Sequence, residues 1–277
     1  MTTITTRTVY GSALQTTQFA GLAFNMLPNT TLNEKFSVQS GVTPPNNKIP
    51  TVGYLAIGNG GHTVQTGSGG LPLIKPIQHV ATDGALYNHL PFVLRATNND
   101  ISPTERAKYG LRKTVTYGGV QYIAYYLKRL VLDSAVVDIS LQTINNGVTT
   151  TTEFVPSSGN LSPTPPVLDS QGSNSLTSQY GVVSATLPIT FTADECTELI
   201  NAATIVYGSP DYAIISEMAL VSGVDKTVTI TGGASFLEVV AAQCAAFINA
   251  FHVIEYTATG LSGNYGLGTN EPLLILA

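Results

Sequence analysis

The strongest periodic signal along the chain is helical and lies in its last third. After Thr192, the residues Cys196, Leu199, Ile200, Ala203 and Val206 return to one face every three or four positions, and Gly208 stops the pattern. Thr192 and Glu195 stand at capping-box spacing, in which each side chain satisfies a free backbone N–H at the helix start. A second Ser-x-x-Glu pair, Ser235 and Glu238, accompanies Phe236, Val239, Val240, Phe247, Ile248 and Phe251 on one broad apolar face. The two patterns predict helices over 193–207 and 235–252.

Elsewhere the texture is that of strands. Thr51–Ile57 reads as a short buried strand. Lys113–Tyr117 and Val120–Leu130 flank Gly118-Gly119, a two-residue link suited to a primed hairpin turn. Val136–Ile144 alternates and ends at Asn145-Asn146-Gly147. Tyr212–Val221 and Lys226–Thr231 read as strands joined around Gly223, with Val253–Thr257 and Leu273–Leu276 as closing strands. Ser102-Pro103-Thr104-Glu105 opens a helical turn or two through Arg106 and Lys108. Residues 1–57 otherwise read as mixed extended structure, with a turn-rich connection over Gly41–Pro50. Gly58–Gly70 holds six glycines and reads as a mobile or interface-forming loop, and Pro156–Ser178 as a Pro/Ser-rich loop or linker. The expectation is an α+β chain, predominantly antiparallel β and sandwich-like, with two helices in the C-terminal half and long loops. It is taken as a single β-rich chain over 1–277, with a soft division into 1–155 and 179–277 joined by 156–178.

Composition changes this picture in one respect. Only 10% of the 277 residues are charged, and Thr, Ser, Asn and Gln fill the polar positions, as in Thr149–Thr152. Uncharged β-formers suit strands, and they suit surfaces covered by other subunits, because burying a hydroxyl costs less than burying an ion. Two cysteines, Cys196 and Cys244, exclude a disulfide framework and are expected as buried free thiols. The opening MTTITTRTVY has no signal-peptide run, so folding in a cytoplasm is expected. No stretch of 18 apolar residues suggests a membrane span.

The few charges are distributed with a bias. Residues 1–129 hold 11 Lys and Arg against 4 Asp and Glu; residues 130–277 hold 1 against 13. Two expectations follow. Either the halves meet opposite charge on a neighbouring copy, or they neutralise each other inside one protomer. The cations concentrate at Arg95, Arg106, Lys108, Arg112, Lys113, Lys128 and Arg129, interleaved with tyrosines. Arg95, Arg106, Lys108, Arg112 and Lys113, with Gly60 and His62 of the glycine-rich segment, are the candidate interface residues. A sequence pI near 5.3 speaks against direct nucleic-acid contact.

No reaction is legible. The glycine-rich segment lacks a Gly-Lys-Ser/Thr ending, and Thr63 stands where a dinucleotide fingerprint needs glycine. His62, His79, His89 and His252 have no metal-ligand spacing, although His79, Asp83 and His89 could converge in a folded loop. Gly67-Ser68-Gly69 is not a nucleophile elbow. Asp194, Glu195 and Glu198 fit the first turn of a helix, where the macrodipole favours carboxylates. No catalytic, cofactor-binding or metal residue is assigned, and no small-molecule substrate is expected.

Two segments carry a resemblance. LPFVLRATNNDISPTERAKYGLRKTVTYGGVQYIAYYLKRL (Leu90–Leu130) and FTADECTELINAATIVYGSPDYAIISEMALVSGVD (Phe191–Asp225) are similar in style to virion structural proteins of contractile-tailed bacteriophages, the ring-forming components of neck and baseplate. The resemblance implies a non-enzymatic protein made in the host bacterial cytoplasm and resident in the virion. It further implies several copies around the particle axis, locked to each other and to other virion proteins by loops and arms. The alternatives are a fibre-associated receptor- or carbohydrate-binding β-module, a head decoration protein, and a hydrolase with an unrecognised site. The absence of Trp counts against sugar binding, though thirteen Tyr offer substitutes.

Overall fold

A capping threonine starts the first helix of the chain where extended structure was expected. In the computed structural model, which describes residues 5–133, 135–163, 165, 179–229, 233–255 and 260–272, strand β1 (Thr5–Arg7) leads directly into helix α1 (Val9–Ala20). The Thr8 side chain accepts from the Gly11 N–H at its start. Helix α2 (Leu32–Lys35) follows, with a Thr31/Glu34 capping box. Then come β2 (Thr51–Gly58), β3 (His62–Thr66), β4 (Pro72–Pro76), β5 (His89–Leu90), β6 (Val93–Ala96), α3 (Pro103–Arg106), β7 (Tyr109–Tyr117), β8 (Val120–Arg129), β9 (Val137–Asn145) and β10 (Val148–Glu153). The remainder comprises β11 (Gln179–Phe191), α4 (Ala193–Tyr207), β12 (Ile214–Thr229), β13 (Ser235–Val253) and β14 (Leu261–Pro272).

The architecture is α+β and mostly antiparallel β. An eight-stranded sheet runs β1-β13-β12-β2-β8-β6, with β5 added on β2 and β7 on β8. A four-stranded sheet runs β10-β9-β11-β14, and β3 and β4 form a separate hairpin. The β7–β8 turn is the one the sequence predicts: Gly118 and Gly119 both have positive φ, 55° and 79°, as a primed turn requires. Helix α4 begins at the Thr192/Glu195 capping box and ends at Gly208. Leu273–Leu276, most of Pro156–Ser178 and Tyr256–Thr257 lie outside the described residues.

The helix expected over 235–252 is instead β13, a central strand paired with β12 on one side and β1 on the other. Its apolar spacing misleads for a physical reason. Register shifts break its pairing with β12 between Leu220/Val221 and Ser222/Val224. Each bulge moves the alternation by one residue, so Val239, Ala242, Cys244 and Phe247 join the same core cluster at intervals of three, two and three. That spacing imitates a helical period. Two side chains from the N-terminal segment satisfy the irregular backbone. Asn33 donates to the Val239 carbonyl at 2.8 Å and accepts from the Ala242 N–H at 2.9 Å, around Ala241 at φ 56°. Thr8 Oγ1 donates to the Cys244 and Ala245 carbonyls at 2.8 and 3.0 Å. Glu238, read as a capping residue, reaches Arg106 instead.

Three further expectations change. Residues 1–57 hold α1 and α2, whose weak amphipathicity hides them: α1 buries only Gly11 and Leu14. The Gly58–Gly70 loop contains β3, half of the β3–β4 hairpin. The two strands expected around Gly223 are one strand, β12, bent by register shifts.

The chain divides into two compact units along lines other than the 156–178 segment. The larger comprises Met1–Val131 with Ile189–Ser262, the smaller Leu132–Pro188 with Gly263–Ala277. The larger unit has a dense core in which Tyr54, Ala56, Ala124, Tyr126, Ala219, Val221 and Phe247 of the sheet pack with Leu32 of α2 and Ala202 of α4. Among the described residues no helix is long and apolar enough to cross a membrane.

Candidate functional site

A carboxylate in the middle of an apolar strand is the most costly feature of the larger unit. Glu217 interrupts the run Ile214–Leu220 on β12 and is only 1% exposed. An ion at that depth needs full compensation. The fold supplies it from two loops. Glu217 Oε1 accepts from the N–H groups of Gly60 and Asn88 at 3.0 and 2.9 Å, and Oε2 from Tyr87 N–H at 2.9 Å. His79 Nε2 lies 2.7 Å from Oε2, and its Nδ1 lies 2.8 Å from Asp83 Oδ2. Glycine is required at the closest approach: a Cβ on Gly60 would stand 2.8 Å from the Asn88 nitrogen, and one on Gly61 2.5 Å from the Ser216 oxygen.

The His79 ring is stacked between Phe247, 3.9 Å away at 13°, and Tyr87, 4.2 Å away at 9°. Burial works against its charge, but the hydrogen bonds and attraction of Glu217 and Asp83 outweigh it and raise its pKa above the ordinary 6.5. Burial likewise opposes charge on Glu217; His79 and the backbone N–H groups of Asn88 and Tyr87 outweigh it and lower its pKa. Both shifts favour the charged pair, and an imidazolium at this position has an N–H for each of the two carboxylates.

Chemically, a histidine between two carboxylates has the parts of an acid–base centre. The void beside it, lined by Thr6, Ile77, Gln78, Glu217, Phe247 and Asn249, is about 10 Å³, the room of a single water. The cluster therefore acts as a clamp that ties residues 58–61 and 79–88 to β12. His79 and Asp83 converge as anticipated, and His89 does not join them. It lies edge-on to Phe36 at 4.7 Å, accepts from the Leu86 N–H, and burial lowers its pKa to about 4. Glu217 is missing from the sequence-based candidates, although a lone Glu inside an apolar strand was its visible signal. His62 packs edge-on to Phe251 at 5.2 Å. Cys196 and Cys244 are free and buried, and burial pushes the Cys244 thiol up to about 12.

The basic cluster turns inward. Arg95 forms a bidentate pair with Glu198 of α4. Arg106 is 4% exposed, pairs with Glu238 at 2.9 Å, and places its guanidinium 3.6 Å over the Phe236 ring. Lys128 meets Glu195 at 2.8 Å and Arg129 meets Asp225 at 2.7 Å. All four pairs join the basic first part of the chain to the acidic remainder within one protomer. Arg95 and Arg106, two of the interface candidates, are each engaged in an ion pair within the protomer. Lys108 pairs locally with Glu105 at 2.8 Å, and Arg112 stands 3.5 Å from Asp100. Lys113 is half-buried on β7, and Gly60 belongs to the clamp.

The larger unit holds twelve Lys and Arg against twelve Asp and Glu; the smaller holds none against five, so the net −5 resides there. Among the described residues of the smaller unit only Leu187 is buried. Val136, Val137, Ile144, Val148, Val155 and Leu161 are all exposed.

A family model covers residues 1–277 and is described as a family of unknown function, DUF7208. The chain belongs to this family. No curated protein and no solved structure matches it. Among the described residues of this DUF7208 chain, two further concavities are large enough for a ligand, one of them about 420 Å³ and lined by Cys196, Phe251, His252 and Ile254. The other, of about 670 Å³, lies between α1 and the segment 24–30, walled by Tyr10, Phe24, Met26 and Leu27, with Lys35 and Asp83 also in its wall.

Proposed function

We propose that the chain is a structural assembly protein of a tailed-phage virion, forming part of a ring at the neck, tail or baseplate through subunit contacts. The observation that carries this reading is the uncovered smaller unit. A four-stranded sheet with exposed Val137, Ile144 and Val148, one buried side chain among the described residues of its unit and threonines on its edge strand has apolar surface to cover. Burying threonines against a neighbour costs little, whereas the usual lysine-rich surface would resist it. The style of Leu90–Leu130 and Phe191–Asp225 points the same way. Arg95, Arg106, Lys128 and Arg129 are engaged within the protomer, so this reading rests on apolar and backbone-mediated contacts rather than on charge. Imaging of particles carrying this chain, with the chain located by a fused density tag, tests the reading. A discrete ring of tagged density supports it, and its absence from particles overturns it.

The 670 Å³ cavity favours a second reading, a receptor- or carbohydrate-binding module, because Tyr10 and Phe24, edge-on at 5.3 Å, stand in its wall with Asn25, Asn29 and Gln243. A glycan array probed with wild-type chain and with Tyr10→Ala separates the two. Specific binding lost in the variant supports the module; no binding leaves assembly as the function.

A further inference from the structure

The β3–β4 hairpin is guarded on one edge and open on the other. Gly67 N–H donates to the Leu71 carbonyl and Ile77 N–H to the Gly61 carbonyl. These bonds belong to directly opposed residues in the register His62↔Pro76, Val64↔Ile74, Thr66↔Pro72. Hydrogen-bonded pairs alternate along an antiparallel ladder, so residues 63 and 65 bond to 75 and 73, while residues 62, 64, 66, 72, 74 and 76 turn their backbone groups outward. On β4, two of those three outward positions are Pro72 and Pro76, which have no N–H to offer an added strand. On β3, none is proline: His62, Val64 and Thr66 leave a full set of outward donors and acceptors. An open, uncharged edge of this kind is a template for strand addition.

The side chains argue for what occupies it. Strand β3, HTVQT, has no Lys, Arg, Asp or Glu and is exposed beyond His62. Placed antiparallel against itself about Val64, it sets His62 opposite Thr66 and Thr63 opposite Gln65, with no like charges opposed. Val64 and Ile74 share a face of the hairpin and are 63% and 44% exposed. Two copies would align Ile74, Val64, Val64 and Ile74 in one row across four strands, covering apolar surface that a lone hairpin leaves wet. A two-stranded hairpin is marginal in water, and a four-stranded sheet is not.

We propose that the outer edge of β3 docks the β3 strand of a second copy of this chain, antiparallel and centred on Val64. The contact is isologous, with the same edge serving both partners, and forms about six backbone hydrogen bonds. It rests on the assembly reading and names the partner and geometry for one of its contacts.

The test uses two matched prolines in the full chain. Val64→Pro removes an outward N–H from β3, and Ile74→Pro removes the opposed outward N–H from β4; neither N–H is used within the hairpin. Sedimentation of the wild type over a rising concentration series should reach twice the chain mass of 29.1 kDa. Ile74→Pro should retain that dimer and Val64→Pro should lose it, with association weakened at least tenfold. As an independent measurement, Val64→Cys should cross-link into a dimer under mild oxidation, because opposed hydrogen-bonded residues lie about 5.5 Å apart at Cα, within disulfide reach. Thr66→Cys should not, because it faces His62. A wild type that stays monomeric, equal loss in both proline variants, or cross-linking at 66 and not 64 would each overturn the proposal. A ring still imaged in particles of Val64→Pro would overturn this contact while leaving the assembly reading standing; absence of the wild-type chain from particles would do the reverse.

Discussion

The larger unit carries twelve cations and twelve carboxylates and closes several of them over a dense core, whereas the smaller carries five carboxylates, no Lys or Arg, and one buried side chain among its described residues. In the first, charge is structural. Ion pairs and the His79 clamp sit where loops and helices meet the sheet, so removing a partner strands a buried ion. In the second, charge is sparse and threonines line the edge strand β10, so covering that edge costs little. The difference teaches that a low content of charge serves two purposes in one chain: internal fastening in one region, and a surface easily covered in the other.

The comparison can be broken most forcefully at Glu217. Glu217→Leu leaves His79 Nε2 and three backbone donors without their partner, and urea denaturation should show a loss of about 3–5 kcal/mol. A loss below 1 kcal/mol would mean that the clamp is not what fastens the larger unit. Arg106→Ala comes next. It uncovers Glu238 and removes the guanidinium from Phe236, for an expected loss of about 3 kcal/mol by the same measurement. Reversing Arg106 to Glu should therefore damage folding itself, where a surface role would have slowed only association.

The clamp also makes stability depend on pH in a defined direction. His79 has its pKa raised, so its contribution is complete below the unfolded value of 6.5 and is lost as pH rises through the folded value. Glu217 has its pKa lowered, so its contribution is present above 4.5 and is lost as pH falls through the folded value. The stability difference between wild type and His79→Gln should be largest near pH 5–6 and shrink under alkaline conditions. A difference that is flat from pH 5 to 10 would show that the histidine is held by stacking alone.

Smaller effects sharpen the other side. Val137→Ser with Ile144→Ser on the exposed smaller-unit sheet should change monomer stability by less than about 0.5 kcal/mol while reducing incorporation into particles. Equal loss of stability and incorporation would mean that the sheet is buried in the monomer. Lys108→Ala removes a pair exposed on both sides, so its denaturation midpoint should stay within about 0.5 kcal/mol of wild type.

Local chemistry made much of the fold legible. The Thr192 capping box, the Gly118-Gly119 turn, the Asn145-Asn146-Gly147 turn and the Ser102-Pro103 helix start are each decided by neighbours within four residues, and each is where the chain's own letters place it. So were the antiparallel β-rich class and the buried state of both thiols. What tertiary structure alone decided was long in range. Whether Ser235–Val253 is helix or strand depended on bulges held by Thr8 and Asn33, more than two hundred residues earlier in the chain. Whether Arg95 and Arg106 face a neighbour or an internal carboxylate depended on which strands bring Glu198 and Glu238 beside them. A sequence reveals the sign and spacing of its charges and apolar residues. Pairing across a sheet decides which of them meet, because a strand's partners are chosen by register with distant segments and not by its neighbours along the chain.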